Sequence, residues 1–399
     1  MSKKHILIIS QYFYPESFRI NDIATEWVKR GYKVTVLTGI PNYPTGKFYE
    51  GYSWTKRRKE QWNGIDIIRI PLIARGQSSI GMILNYYSFV ISGWIWNRVN
   101  KLNADIVFSF EVSPMTQVKV GCGYSRKHRI PHFLYVQDLW PENVEAITGI
   151  SNRLIIGPLD RMVDKIYQQV DEIFVTSPSF VDAIVNRRKP VDNNKVHYWP
   201  QYYESFYKPS EKSEVDVIPD DGRFKIIFTG NIGTAQGLDI LPQVALRLRD
   251  ENVVFILVGE GRYLSSFKKI ISTNNVQDMF IFIPRVPADY IPKFLSACDV
   301  CFVSFAQESI WEKTIPAKLQ TYMACGKPIV ASASGETKRL IEEANCGVCA
   351  KIGDVEELVS AINYLRGSRL SELGNNGYLY AKEHFDKDKL LDQMDMFLR

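Results

Sequence analysis

Histidine is scarce in this 399-residue chain, with five copies, and cysteine is hardly commoner, with six. Four of the cysteines have CxxC spacing, Cys298 with Cys301 and Cys346 with Cys349. The first pair straddles a helix end and the strand VCFVSF, and the second sits in the short apolar segment CGVCAK. Neither has the turn glycine and polar knuckle of a zinc ribbon. Residues three apart on a strand face opposite sides, so two thiolates there would diverge rather than chelate. No metal site and no other cofactor is therefore expected. A surplus of one charge sign is also nearly missing, since the net charge is only +5. What surplus there is gathers in KRRK (Lys56 to Lys59), RKHR (Arg126 to Arg129) and RRK (Arg187 to Lys189). Solvated loops and helix ends are the plainest reading of these clusters. An anionic membrane surface or a diphosphate ligand comes next. Nucleic acid comes third and is not expected as a partner, because no basic stretch is interleaved with aromatics in a recognition motif. No signal peptide precedes HILIIS, which starts at once as a core strand, so a reducing cytoplasm is the expected home.

One stretch lacks charge altogether. Gly76 to Asn97 includes IGMILNYYSFVISGWIW and is long enough to suggest a membrane span. Topology opposes a span, because it would put IDIIRI and ADIVFSF, two strands of one sheet, on opposite sides of a bilayer. A helix packed on the sheet and partly sunk in the membrane interface is preferred, anchored by Tyr86, Tyr87, Trp94 and Trp96. A buried core helix is the alternative.

What the chain has in quantity is alternation. Short apolar runs at 5–10, 33–38, 65–70, 104–110, 132–137 and 172–177 are separated mostly by helical patterns. The rhythm returns as FKIIFT, VVFILVG, MFIFIP, VCFVSF and PIVAS, alternating with helices near 237–249, 262–273, 289–297, 316–325 and 335–344. Such alternation calls for α/β architecture, with parallel sheets covered on both faces. The length exceeds what one core supports, so two domains of about 200 residues each are expected. Residues 1–200 form the first, 201–222 read as a linker because Lys208 to Gly222 is polar, and 223–380 form the second. Residues 381–399 read as a terminal helix returning to the first domain. Ligands in such sheets bind beyond the carboxyl ends of the strands.

The richest of those ends is FTGNIGTAQGL, Phe228 to Leu238, where a buried run empties into a glycine loop that opens a helix. Gly230, Gly233 and Gly237 would let backbone approach an anion, and the helix's positive end would supply charge. GEGR at Gly259 to Arg262 is a second glycine turn on the same edge. In TIPAKLQTYMACGKPIVAS a helix starts at Pro316, and Lys318 in its first turn is either a solvated lysine or a phosphate contact. In the first half, Glu16, Arg19 and Asn21 follow the first strand, and Asp138 and Glu142 follow another on the same edge. An exposed turn and helix cap is the plain alternative for the first three.

The run from Pro316 to Ser332, with GNIGTAQGLD, LVGEGR and SACDVCFVSF ahead of it, resembles the retaining nucleotide-sugar glycosyltransferases of family 4. QYFYPE (11–16), GYKVTVLTGIPNYPTG (31–46) and VQDLWPE (136–142) resemble its bacterial polysaccharide branch, typified by the O-antigen N-acetyl-L-fucosaminyltransferases of WbuB type. The resemblance implies a GT-B fold, two Rossmann-like doubly wound domains facing across a cleft, with the acceptor on the first and the donor on the second. It implies metal-independent transfer of a sugar, with retention, from a UDP-sugar onto an undecaprenyl-diphosphate-linked saccharide at the inner face of the plasma membrane. The expected catalytic residues are Asp138, Glu16 and Glu308. Gly230, Asn231, Gly233, Gly237, Glu260, Arg262, Arg285, Lys313, Lys318 and Thr321 are expected on the donor, and Arg19, Asn21 and Glu142 on the acceptor. The match is incomplete. The family's usual arginine and lysine in the glycine loop stand here as Asn231 and Gln236, its usual glutamate pair as Lys313 and Thr321, and its histidine before the aspartate as Gln137. Two other outcomes fit the same fold. A nucleotide-sugar 2-epimerase would need no lipid acceptor, and a silent nucleotide-sugar binder would account for the missing glutamates.

Overall fold

Strands that are apolar on both faces must be covered on both, and the computed structural model, which describes residues 3–149, 151–307 and 309–399, is built around two sets of them. Contacts divide the chain into two compact units. One comprises Met1–Thr176, Phe180–Trp199 and Met394–Arg399, and the other Ser177–Ser179 and Pro200–Gln393.

In the first unit β1 (His5–Ile9), β2 (Lys33–Thr38), β3 (Lys59–Trp62), β4 (Ile65–Arg69), β5 (Ile106–Glu111), β6 (His132–Val136), β7 (Glu172–Val175) and β8 (Val196–Tyr198) form one sheet in the order β3-β4-β2-β1-β5-β6-β7-β8. Every pairing is parallel except β3 with β4. β1 and β5 are buried at every residue, and Leu7 sits in register with Thr35 on one side and Val107 on the other. The helices are α1 (Arg19–Lys29), α2 (Ser79–Val99), α3 (Val118–His128), α4 (Glu142–Thr148), α5 (Arg153–Gln169) and α6 (Pro178–Val185). α1 buries Ile20, Ile23, Ala24 and Trp27, the spacing of one helical face, and Trp27 meets Phe108 of β5 edge-on at 4.8 Å. β3 was not expected. Its sequence KEQW has no apolar run, because an edge strand open to water needs none; Trp62, stacked on Tyr14 at 4.5 Å, and Glu60, paired with buried Arg69, anchor it.

The second unit's sheet runs β11 (Phe280–Ile283), β10 (Val253–Val258), β9 (Phe224–Thr229), β12 (Val300–Ser304), β13 (Ile329–Ser332), β14 (Gly347–Ala350), and all its pairings are parallel. Its helices are α7 (Ile240–Arg247), α8 (Leu264–Thr273), α9 (Ile291–Ser296), α10 (Ser309–Glu312), α11 (Ala317–Ala324), α12 (Gly335–Glu343), α13 (Val355–Arg366) and α14 (Leu370–His384). Alternate strand residues feed two cores, Ile227, Ile256 and Val258 on one face and Ile226, Phe228 and Phe255 on the other. The stretch read as a linker is no free connector: Tyr207 and Ile218 are buried in the first of these cores, so two large side chains anchor an otherwise polar strap. The last helix, α15 (Lys387–Leu398), ends among first-unit residues, where Arg30 donates to Asp395 at 3.3 Å and Phe397 packs edge-on against Phe174 at 5.0 Å.

The uncharged stretch forms α2, which is turned inside out. Asn85, Phe89, Gly93 and Asn97 are buried, whereas Ile80, Ile83, Leu84, Tyr87, Ile91, Trp94, Ile95 and Val99 are exposed. Asn85 accepts from Gln11 and donates to the Ile73 carbonyl, both at 2.6 Å, and Asn97 donates to the Val120 carbonyl at 3.0 Å. Of the four expected anchors, Tyr87 and Trp94 point outward. Tyr86 and Trp96 do not: Tyr86 is partly buried, and Trp96 stacks on Tyr124 of α3 at 5.7 Å, because the side chains that pin α2 to the sheet include their side of the helix. Among the described residues, no helix is long and apolar enough to cross a membrane.

Gly93 lets α2 lie close against α3. A Cβ there would lie 2.5 Å from Val120 Cγ2. Gly93→Ala is expected to cost about 1–3 kcal/mol through overpacking, read as a lower urea midpoint with unchanged slope.

Candidate functional site

Among its parallel strands each sheet has one at which the chain order reverses, β1 between β2 and β5, and β9 between β10 and β12. The loops leaving these strands diverge to opposite faces and leave a crevice at the carboxyl end. The residues singled out from the sequence fall largely on these two edges.

In the second unit the loop after β9 is held very close to the loop after β10. Gly259, at φ +149°, has no room for a side chain, since a Cβ would lie 1.9 Å from the Gly230 carbonyl oxygen. Glu260 receives the Ile232 N–H on its carbonyl at 2.8 Å, and its side chain is exposed. The glycine loop does not open an α-helix as expected. Thr234–Gln236 is a single 3-10 turn, and α7 starts only at Ile240. Its amides are also mostly used. Those of Gly230, Ile232, Gly233, Gln236 and Gly237 donate to Val258, Glu260, the Gln236 side chain, Gly233 and Thr234. Among the described residues the amides of Asn231, Thr234 and Ala235 have no hydrogen-bond acceptor. Gln236, at the position of the family's lysine, is turned into its own loop by the Gly233 bond, while Asn231 is exposed.

A cation comes instead from α11. The Tyr322 hydroxyl accepts the Thr229 N–H at 2.8 Å and ties this helix to the last residue of β9. One turn earlier, Lys318 lies over Phe228, its Nζ 3.6 Å from the ring centroid, and the space above Gly230 opens 3.8 Å from the same Nζ. Burial with no carboxylate partner among the described residues pulls its pKa down to about 7. Thr321 faces elsewhere, its hydroxyl donating to the Ala317 carbonyl at 3.2 Å as helical threonines do. Lys313 is partly buried, and its carbonyl accepts from Ser177. Arg262 is exposed in the turn before α8, and Arg285 is exposed beyond β11, two strands from β9. Glu308 lies outside the described residues.

In the first unit the edge is acidic. Asp138, just past β6, accepts from the Ser113 N–H at 3.0 Å and the Ser113 hydroxyl at 2.7 Å. Trp140 and Asn143 also donate to that hydroxyl, at 3.0 and 3.3 Å. Behind Asp138 is Glu111, the fully buried last residue of β5, which accepts the Asp138 N–H at 3.4 Å. Burial first, and then the neighbouring Asp138, raise the Glu111 pKa well above the usual carboxylate range. Burial raises Asp138 too, against the two Ser113 donors. Neither Glu111 nor Ser113 was singled out from the sequence, although a carboxylate ending the otherwise apolar run IVFSFE is a readable signal.

The other first-unit candidates have structural partners. Glu16 is buried, and one carboxylate oxygen takes the amides of Asn42 and Tyr43, both at 2.7 Å. It is a pin for the loop after β2 rather than a group presented to a substrate, and burial holds its pKa up at about 7. Asn21 donates to the Glu16 carbonyl at 2.7 Å, closing the same turn, and Arg19 opens α1, partly buried. Glu142 lies 4.0 Å from Arg187, which also binds Asp160 and Asp164, so it belongs to an ion cluster. All six cysteines are free thiols, five of them buried.

Comparison with known proteins was consistent across the chain. The family described as glycosyl transferases group 1 matches residues 210–384, and a glycosyl transferase 4-like domain matches residues 17–201. A relative in Escherichia coli, a putative colanic acid biosynthesis glycosyl transferase, is 25% identical over 97% of this chain and 98% of its own. Among solved structures, sucrose-phosphate synthase of Thermosynechococcus elongatus superposes with a TM-score of 0.77 at 16% identity, covering 99% and 98% of the two chains. The Anabaena protein HepE in complex with UDP superposes at 0.71 with 18% identity, covering 99% of each. These two structures have the GT-B fold, and this chain shares it. Both halves are thus matched in order, residues 210–384 as a domain of the glycosyl transferases group 1 family and residues 17–201 as a glycosyl transferase 4-like domain.

Proposed function

We propose that the protein moves a sugar from a UDP-linked donor onto a saccharide carried by undecaprenyl diphosphate, during polysaccharide assembly on the cytoplasmic face of the plasma membrane. The donor sugar proposed is N-acetyl-L-fucosamine, with retention of configuration and no metal. The observation that carries the donor half is Lys318, a cation without a carboxylate partner among the described residues, held at the mouth of the glycine loop. UDP in the Anabaena structure and the colanic acid role in the name of the Escherichia coli relative support the nucleotide and the pathway class.

In the proposed step the bond between the anomeric carbon and the β-phosphate oxygen breaks while the acceptor hydroxyl oxygen bonds to that carbon from the same face. The hydroxyl proton passes to the departing phosphate oxygen. Charge stabilisation matters more here than a strong base. Lys318 and the spare amides of Asn231, Thr234 and Ala235 neutralise the diphosphate, with Lys313, Arg262 and Arg285 as further cations. Asp138, aimed by Ser113, orients a sugar hydroxyl. The absence of the glutamate pair at Lys313 and Thr321 favours one other reading, a silent nucleotide-sugar binder, and a transfer assay separates the two. UDP- and GDP-sugars offered with a synthetic lipid-diphosphate sugar give one α- or β-linked product matching its donor if the proposal holds, and binding without product if it fails.

Lys318→Ala is expected to weaken UDP-sugar binding about 10–100-fold by calorimetry, the worth of one charge-assisted contact. In the wild type the lysine is already charged below pH 7 and must take up a proton on binding above it. Affinity is therefore highest below pH 7 and falls as pH rises beyond, by up to about tenfold per unit, and the Lys318→Ala profile is flat. Asp138→Asn is expected to lower kcat by about 10²-fold or more while leaving the donor Kd unchanged, measured by steady-state transfer and calorimetry.

A further inference from the structure

Away from both sheet edges, the first unit has a groove of about 680 Å³ walled by α2, α3 and α5. Its lining includes the cations Arg98, Lys119, Arg126, Lys127, Arg161 and Lys165, and no acidic residue. All six are exposed, and none has a carboxylate partner among the described residues. The acids of α5 are committed elsewhere, since Asp160 binds Arg187, and Asp164 binds Arg187 and Arg188. The cations crowd each other: burial lowers the Lys119 pKa, and the charge of Lys165 lowers it further. Such a concentration of one sign is the footprint of an anion.

Which anion follows from the groove's neighbour. Trp94 and Arg98 form its α2 wall, and the same helix presents the exposed stripe of Ile80, Ile83, Leu84, Tyr87, Ile91 and Ile95. Leu154, 84% exposed, and Ile155 stand bare at the start of α5, the opposite wall. A soluble phosphate would fill the groove and leave the stripe in water, and so would a nucleic acid strand. The face of Trp94 is in any case covered by the Arg98 guanidinium, 3.1 Å from the ring centroid, so it offers no platform for a base. A second copy of the chain would set like charge against like. A bilayer bearing anionic headgroups satisfies both features, phosphate against the cations and acyl chains against the stripe.

We propose that the groove between α2, α3 and α5 seats the phosphate of an anionic phospholipid headgroup, with the outward stripe of α2 immersed beside it. The inference rests on the membrane side of the reading above and gives that surface a lipid preference. Vesicle binding needs neither donor nor acceptor, so its failure is distinct from a failure of sugar transfer.

The test is flotation of the full chain with phosphatidylcholine vesicles, with and without phosphatidylglycerol. Binding is expected only, or far more strongly, with phosphatidylglycerol, and it falls steeply with added salt. The double variant Arg126→Glu/Lys165→Glu loses at least about tenfold in binding, as two reversed surface charges imply. Trp94→Ser/Ile95→Ser also floats less. Retained UDP-sugar binding in both variants shows that the loss is not unfolding. Equal flotation on neutral vesicles, or wild-type flotation by the charge-reversed variant, overturns the proposal. So does full displacement by inorganic phosphate, which assigns the groove to a soluble ion, or tighter capture of single-stranded RNA than of vesicles.

Discussion

In each unit one strand pairs on both sides with strands that follow it in the chain, and what its carboxyl end can present depends on that arrangement. β1 between β2 and β5, and β9 between β10 and β12, send their connections to opposite faces, so the carboxyl end of each is flanked by loops that cannot fill it. Everything placed at those ends is placed by the core beneath. Tyr322 reaches the end of β9 because α11 packs on that sheet, and Asp138 is aimed because Ser113 and Glu111 leave the neighbouring strand. The reactive groups sit in loops, but what positions them is strand order.

The strands, though not their order, could be anticipated because buried parallel strands are short apolar runs, and most of them stand out as such. The exceptions had physical reasons. KEQW at β3 is an edge strand whose hydrophobic contribution is one tryptophan, and the strap over 201–222 hides Tyr207 and Ile218 in a largely polar context. The second unit's edge was legible in part. Lys318 could be placed by its position in the first turn of a helix, and the glycines by their spacing. The fate of the loop's amides could not be read, because those bonds depend on β10's loop lying against β9's, a contact between residues nearly thirty positions apart. On the acidic edge the sequence pointed to Glu16, which the fold spends on two backbone amides, and passed over Glu111, which completes the pair with Asp138.

α2 shows what composition leaves open. Its uncharged sequence suggested a helix packed on the sheet and partly sunk in a membrane interface, with a buried core helix as the alternative; in the fold polar Asn85 and Asn97, with Phe89 and the gap at Gly93, hold it in place, and most of its aliphatic side chains face out. Buried amides that donate to fixed carbonyls set orientation more strictly than apolar contact does, because a rotation of the helix breaks those bonds. The helix is thereby fixed in the one rotation that leaves its apolar side bare.

The fit of Gly259 against Gly230 also bears on how this protein can diverge. Two backbones that touch with no side chain between them cannot drift one residue at a time. Any bulk gained by one loop requires retreat of the other, and that retreat would carry the Gly230 turn away from the Lys318 ammonium. Change is therefore channelled away from the glycine turns and into neighbouring side chains such as those of α11. Lineages of this fold should vary the surroundings of an unaltered floor.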